Sequence, residues 1–252
     1  MRKTTLYLLA VLTVSGCKAT SSGETAGMGR VTEAPTTANG ETSEAAVRAS
    51  MHGHDKHGDA MRDAMVRGDL DGAKGEAKLL VELRVAGPTS GLFRHLLGAM
   101  KDAAAQAAGA SDLKGAGHDV AMVAKTCGDC HQVFGRPGMI VGQPAAPASG
   151  VRASMQRHQW AAKQLWEGLV VPSDDAWSAG ALALADAPLA PEALTPGKSP
   201  VPRVGELAQT VHDLGRRAAA VERVDVRADL YGQMLGTCAD CHKWLGGGPT
   251  PP

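Results

Sequence analysis

Hydrophobic residues recur along most of the chain at the three- and four-residue spacing of amphipathic helices. Met155, His158, Ala162, Leu165 and Leu169, for example, fall on one helical face. No segment shows the period-two alternation of apolar and polar residues that marks a half-buried strand. The pattern therefore predicts an all-α fold.

The same pattern predicts two groups of four helices. The first helix of the first group passes through Met61 and Met65 and ends at Gly68-Asp69. The first helix of the second group ends at 172–174, where the sequence Pro-Ser-Asp is typical of a helix end followed by the cap of a new helix. The other predicted helices are 69–83, 91–108, 119–135, 174–187, 204–221 and 225–244. Little breaks 216–244, so a merger of the last two helices is an alternative, and the Pro-rich segment 188–202 is expected to be a loop.

An internal repeat gives these two groups their boundaries. The run VRASM at 47–51 recurs at 151–155, and the motif CxxCH at 127–131 recurs at 238–242. We infer two copies of one unit, 45–140 and 150–246, joined by a Pro/Ala/Gly-rich linker at 141–149 and followed by a short tail at 247–252. Four helices in about 95 residues is typical of a four-helix bundle.

The motif Cys-x-x-Cys-His is the attachment sequence of c-type haem. On a helix, positions i, i+3 and i+4 share one face, so two thiols can bond to one haem edge while the histidine presents its imidazole to the iron. We therefore expect two haem c groups, one in each unit. The residues expected to hold them are Cys127, Cys130 and His131 in the first unit, and Cys238, Cys241 and His242 in the second.

The main alternative chemistry for these cysteines is a zinc site. Paired Cys-x-x-Cys motifs of a zinc ribbon usually lie some 15–20 residues apart, whereas these two lie 111 residues apart. A thioredoxin-like dithiol needs a βαβ context, which the helical pattern lacks. Haem is therefore the preferred interpretation.

The position of the motif resembles that in the class II cytochromes c, the cytochrome c prime family. Only ten residues follow His242, and they include neither Met nor His. In that family the motif lies near the C-terminus of a four-helix bundle, and an aromatic residue shortly after it, Phe134 or Trp244 here, fits as well. The resemblance implies two tandem four-helix bundles, each with one haem near its C-terminal helix. The copies are shorter than a typical member, and two are fused.

The resemblance also implies where the distal ligand of each iron lies. In that family a residue of the first helix approaches the distal face, and the repeat places Met-x-x-His at this position in both copies. We predict His54 and His158 as distal ligands, giving bis-histidine haems. The alternatives are Met51 and Met155 as ligands, or an open distal site.

All four tryptophans lie in the second copy, where we expect them in the core near the second haem. His95 and His212 correspond between the copies. They are expected to contact haem propionates or to lie at the surface, with ligation of the iron as a further alternative.

The first residues of the chain are typical of an export signal. Arg2 and Lys3 precede an apolar stretch that is too short to cross a bilayer. The following Val-Ser-Gly-Cys, ending at Cys17, resembles a bacterial lipobox. This implies a lipoprotein signal peptide at 1–16 and a lipidated Cys17 that anchors the protein to a membrane on the periplasmic side. An ordinary secretory signal is the alternative.

The residue after the cysteine and the segment that follows it refine this expectation. By resemblance to enteric sorting rules, Lys18 in place of Asp favours the outer membrane. The polar segment 17–44 has almost nothing apolar to bury, and we expect a flexible tether.

Charge and the remaining motifs narrow the function. Lys plus Arg and Asp plus Glu number 26 each, and this balance argues against nucleic-acid binding. No catalytic triad, phosphate loop or paired-carboxylate arrangement is recognisable, so we do not expect an enzyme. The prediction is a di-haem electron carrier outside the cytoplasm that exchanges electrons with redox partner proteins. The alternative is a gas-binding or gas-sensing haem protein, and the family resemblance leaves a homodimer open.

Overall fold

Nine helices and no strand form the described part of the chain, which confirms the predicted all-α fold. The structure, a computed structural model, describes residues 40–84, 90–135, 150–186, 189–195, 201–246 and 248. The helices are α1 (Gly40–Arg67), α2 (Leu70–Glu82), α3 (Gly91–Gly109), α4 (Leu113–Phe134), α5 (Val151–Val170), α6 (Asp174–Ala185), α7 (Pro191–Leu194), α8 (Pro202–Ala219) and α9 (Val224–Leu245).

Several helices begin at a polar residue whose side chain caps the first turn. These residues are Asp69, Ser90, Asp112 and Ser173, and each accepts a hydrogen bond from the backbone N–H three residues later. The predicted stop and new cap at 172–174 are confirmed, because α5 ends at Val170 and α6 starts at Asp174. The predicted end of the first helix is also confirmed, because α1 ends at Arg67 and Gly68 follows in the left-handed region, at φ 76°.

Helix α4 starts earlier than the sequence pattern predicts. It begins at Leu113 and not at 119, because the Asp112 side chain caps its first turn. The alternative of a merged helix over 216–244 is wrong, because α8 ends at Ala219 and α9 starts at Val224. In this break the Arg227 guanidinium donates a 3.0 Å hydrogen bond to the Val221 carbonyl oxygen.

The Pro-rich segment 188–202 is not entirely a loop. It contains the four-residue helix α7, which starts with Pro191 at its first position, where proline suits a helix. Helix α7 packs against α8. Of the other residues that the structure describes in this segment, Pro202 begins α8 and the rest have no regular secondary structure.

The helices of each copy pack in chain order, but the most extensive helix pair joins the two copies. Helices α1 to α4 contact one another in sequence, as do α5, α6, α8 and α9. Helix α4 packs along α9, α1 also packs on α9, and α5 packs on α4. The described helices belong to one compact unit, and the division into separate four-helix bundles at 45–140 and 150–246 stays a prediction.

Glycines allow the backbones of α4 and α9 to approach closely. A Cβ atom built on Gly117 of α4 would lie 2.7 Å from the carbonyl oxygen of Gly232 on α9. A Cβ on Gly232 would lie 2.8 Å from the Cα of His118. Neither position accommodates a side chain without moving the helices apart.

Equivalent positions of the repeat face the core in both copies. Met61 and Met65 of α1 correspond to Leu165 and Leu169 of α5, and all four side chains are fully buried. This confirms the predicted core faces of the two opening helices. Burial of a side chain of this size contributes about 1.5–3 kcal/mol.

Candidate functional sites

Two cavities each contain one complete set of the predicted site residues. The first has a volume of about 350 Å³ and is bounded by α1 to α5. Its lining includes Cys127, Cys130, His131, Met51 and His54. The CxxCH motif near the end of α4 and the predicted distal ligands on α1 therefore face the same space.

The second cavity repeats this arrangement in the second copy. It has a volume of about 590 Å³ and is lined by residues of α5, α7, α8 and α9 and by the end of α1. Cys238, Cys241, His242, Met155 and His158 all lie on its wall. Both volumes fall within the roughly 300–1,000 Å³ that is usual for small-molecule and cofactor sites.

Both motifs lie in the last turns of a helix that ends with a glycine. Gly135 after α4 and Gly246 after α9 adopt left-handed conformations, at φ 65° and 87°. Up to these caps the helices are regular, so the two cysteines and the histidine of each motif share one face. The sequence argument from the i, i+3 and i+4 spacing is consistent with this placement.

Burial keeps the first thiol of each motif protonated. It raises the pKa of Cys127 and of Cys238 to about 12, and the second thiol of each pair acts in the same direction. A lowered pKa is typical of cysteines that act as nucleophiles, so these surroundings do not resemble those of a reactive dithiol.

The two motif histidines are oriented by backbone carbonyl groups. His131 Nδ1 lies 2.6 Å from the carbonyl oxygen of Val170, and His242 Nδ1 makes the same contact with the carbonyl oxygen of Val66. A carbonyl oxygen only accepts, so Nδ1 carries the proton in both rings. The Nε2 lone pair of each imidazole is then available to a metal.

Both of these carbonyls belong to the opposite copy of the repeat. Val66 is in the last turn of α1 and serves the second cavity, whereas Val170 ends α5 and serves the first cavity. Sequence reasoning missed this exchange, because a backbone acceptor has no residue-type signal. The repeat offset alone shows that Val66 and Val170 are equivalent positions.

His54 presents a buried nitrogen that has no hydrogen-bond partner among the residues that the structure describes. Its Nε2 is inaccessible to solvent and unsatisfied, although the ring lines the first cavity. Burial lowers the pKa of this ring, and the charges of Lys101 and His57 act in the same direction, so its surroundings favour the neutral imidazole. An unsatisfied buried nitrogen is costly in a folded protein unless a ligand completes it.

His158 lines the second cavity and lies beside another buried histidine. Its ring centroid is 5.1 Å from that of His212, in an edge-to-face arrangement. Burial lowers the pKa of His158 to about 4, and His212 and His242 add to this effect. His212 is 2% exposed, and its Nδ1 has no hydrogen-bond partner in the part of the chain that the structure describes. The surface alternative is therefore wrong for His212, whereas His95 is exposed.

The tryptophans are divided between core and surface. Trp166 and Trp177 are buried, as expected, but Trp244 is 63% exposed. Trp166 lines the first cavity and not the second, because its helix α5 also packs on α4 of the first copy. Phe134 packs edge-on against Phe93, with ring centroids 5.9 Å apart.

The two cavities differ in charge. The first is lined by the acidic residues Asp55, Asp59 and Glu167 and by Lys163. Among the described residues, the lining of the second includes Arg152 and no carboxylate. Sequence reasoning did not single out Asp59 or Glu167, because each comes close to the site only through the packing of α1 and α5.

Some predicted features lie outside the described residues. These are the signal peptide at 1–16, the lipidated Cys17, most of the tether at 17–44, the linker at 141–149 and, apart from Gly248, the tail at 247–252. None of the described helices combines the length and the hydropathy needed to cross a membrane. No group of three or more His, Cys, Asp or Glu side chains is arranged to hold a bare metal ion in the same part of the chain.

Comparison with protein-family models, with curated proteins and with solved structures finds no match to this chain.

Proposed function

We propose that this protein is a di-haem c-type cytochrome that carries electrons outside the cytoplasm. The observation on which the proposal depends is the placement of each CxxCH motif in one cavity with a histidine of an opening helix. His131 and His54 line the first cavity, and His242 and His158 line the second. A bound haem c would supply a one-electron iron couple at each position.

The donor set of each cavity fits a haem iron. The two thiols of each motif would form the covalent attachment, and the adjacent histidine has its Nδ1 proton engaged by a carbonyl, leaving Nε2 for the iron. On the distal side of the first cavity, the unsatisfied Nε2 of His54 supports ligation by histidine. Met51 and Met155 line the same cavities and stay the alternative distal ligands.

The surrounding side chains suit electron transfer without a large change in structure. Leu80, Met100 and Val123 give the first cavity an apolar wall, and Leu207 and Val211 do so in the second. An apolar wall excludes water from the metal and lowers the local dielectric, which helps to set a reduction potential. Two strong axial ligands keep an iron six-coordinate in both oxidation states.

A haem count and a spin-state measurement test the proposal. We expect two covalently bound haems per chain by the pyridine haemochrome assay, and one after the double substitution Cys238→Ala, Cys241→Ala. Electron paramagnetic resonance (EPR) of the oxidised protein should show two low-spin signals. A colourless protein would refute the proposal.

Removal of single ligands distinguishes the distal alternatives. We expect His54→Ala to convert one iron to a high-spin form that binds carbon monoxide, and His158→Ala to do the same at the other. Met51→Ala and Met155→Ala are the matched controls and should leave both signals low-spin. High-spin iron and rapid carbon monoxide binding in the unsubstituted protein would instead favour the gas-binding function.

The amino-terminal part of the proposal has its own test. We propose that Cys17 carries a lipid that anchors the protein to a bacterial membrane on the periplasmic side. Incorporation of labelled palmitate should depend on Cys17, and Cys17→Ser should move the protein from the membrane to the soluble fraction. Labelling that persists in Cys17→Ser would contradict the assignment.

A further inference from the structure

The ends of two helices lie against the motif histidines of the opposite copy. The Val66 carbonyl oxygen, in the last turn of α1, accepts a hydrogen bond from the Nδ1–H of His242. The Val170 carbonyl oxygen, at the end of α5, accepts a hydrogen bond from the Nδ1–H of His131, with 2.6 Å between nitrogen and oxygen. Since Val66 and Val170 are equivalent positions of the repeat, one contact is made twice, in opposite directions.

These two carbonyls are well suited to act on an imidazole. The last carbonyl groups of a helix have no N–H partner within the helix, and they carry the negative end of its dipole. A hydrogen bond from Nδ1 to such an acceptor fixes the ring orientation and makes Nε2 a stronger electron donor. The effect would therefore be felt by a metal bound at Nε2.

We propose that each copy positions and tunes the proximal histidine of the other, with α1 acting on His242 and α5 acting on His131. This inference rests on the proposed function, since it concerns residues that would ligate the two irons. Neither site is then complete within its own copy. A change at the end of α1 should alter the second site and not the first, although α1 contributes His54 to the first.

Gly68 offers a way to move the end of α1. A Cβ at this position would lie 2.8 Å from the carbonyl oxygen of Ala239, which is between the two cysteines of the second motif. Gly68→Ala must therefore push α1 away from α9 and lengthen the contact between Val66 and His242. Gly135 lies at φ 65°, and no atom of the described residues lies within 4 Å of its Cβ position, so it is a matched control for left-handed strain.

The experiment uses the haem-loaded full chain. EPR signals and midpoint potentials are assigned to the first and second sites with His54→Ala and His158→Ala. We expect Gly68→Ala to change the g-values of the second site and to shift its reduction equilibrium about tenfold towards the reduced form, or about 59 mV for one electron. The first site should be unchanged, and Gly135→Ala should leave the second site unchanged. A shift at the first site alone, an equal shift at both sites, or no shift would overturn the proposal.

A measurement on the unsubstituted protein keeps the test decisive if Gly68→Ala does not fold. In the reduced, low-spin protein, the Nδ1 proton of His242 should give nuclear Overhauser effects to Val66, and that of His131 to Val170. Effects confined to residues of the same copy would overturn the proposal. Failure of the proposed function would be recognised separately, because a chain without haem has neither an EPR signal nor a potential at either site.

Discussion

Arg62 and Trp166, which occupy equivalent positions in the two copies, stack on each other. The guanidinium carbon of Arg62 lies 5.8 Å from the centroid of the Trp166 ring, within the range of a cation–π interaction. The repeat thus provides a cation in one copy and an aromatic ring in the other at the place where α1 and α5 meet. The same Trp166 ring packs on Gly58, where a Cβ atom would lie 3.0 Å from it.

Arg62→Met should destabilise the protein by about 1–3 kcal/mol. The Arg62 side chain is 7% exposed, and its guanidinium pairs with Asp59 at 2.6 Å and with Asp63 at 2.8 Å. Removing the guanidinium leaves two carboxylates without their cation, but both are partly solvated, which limits the loss. Denaturant unfolding of the full chain measures the change.

Arg216→Met is the control for this substitution. Arg216 also pairs with an aspartate, Asp213, but both side chains are about half exposed. Such a pair contributes little, so we expect a change within about 0.5 kcal/mol. Equal losses in the two variants would mean that burial of Arg62 does not matter.

Gly117→Ala should destabilise the contact between the copies by about 1–3 kcal/mol. The added Cβ would lie 2.7 Å from the Gly232 carbonyl oxygen, so α4 and α9 must separate. Gly98→Ala, inside α3, is the matched control, because the new Cβ would have no atom of the described part of the chain within 4 Å. It should stabilise the protein by about 0.5–1 kcal/mol, because alanine favours a helix over glycine. Thermal unfolding distinguishes the two signs, and stabilisation by Gly117→Ala would contradict the close crossing.

Much of the helical fold could be predicted from the sequence, because helix starts and ends depend on residues close together in the chain. The cap at Ser173 and the end of α1 before Gly68 follow from short-range chemistry, and both were predicted correctly. The sequence pattern predicts a later start for α4 than the structure has, because glycines near the start of a helix normally weaken it. Here Gly117 is needed for the contact with α9, a tertiary requirement that the local pattern does not reveal.

Long-range partners explain the other differences. The break between α8 and α9 has no local breaker, but Arg227 donates to Val221 within the break and to Asp174 at the start of α6. In the candidate sites, the motif and the repeated Met-x-x-His could be recognised as residue types. The acceptors at Val66 and Val170 could not, because they are backbone atoms brought in from the other copy.

Exchange of the residues that follow the predicted distal histidines should change the potentials in opposite directions. Asp55 follows His54 and lines the first cavity, whereas Gln159 follows His158 and lines the second. A nearby carboxylate stabilises oxidised iron, so Asp55→Gln should raise the potential of the first site and Gln159→Asp should lower that of the second. Both positions are exposed, so each shift should be less than about 59 mV. High salt should reduce the shifts further, and unchanged potentials in both variants at low salt would contradict the charge assignment.

Glu167→Gln should remove a pH dependence that belongs to the first site. Glu167 is 9% exposed and lines the first cavity, and its pKa is raised by burial first and then by the charge of Asp59. The folded pKa lies above the unfolded one, so the stability linked to this group is fully present below the unfolded pKa, near 4.5. It is lost as the pH rises through the folded pKa.

The same ionisation places a negative charge beside the first cavity, so the potential of the first site should fall over this pH range in the unsubstituted protein. Potentiometric titration across acidic to neutral pH should show that slope at the first site and its loss in Glu167→Gln. Glu206→Gln is the control, because Glu206 is exposed on α8 and paired with Arg203. A slope that survives in Glu167→Gln would assign the proton to another group. Asp59 is then the candidate to test, because it lines the same cavity and burial also raises its pKa.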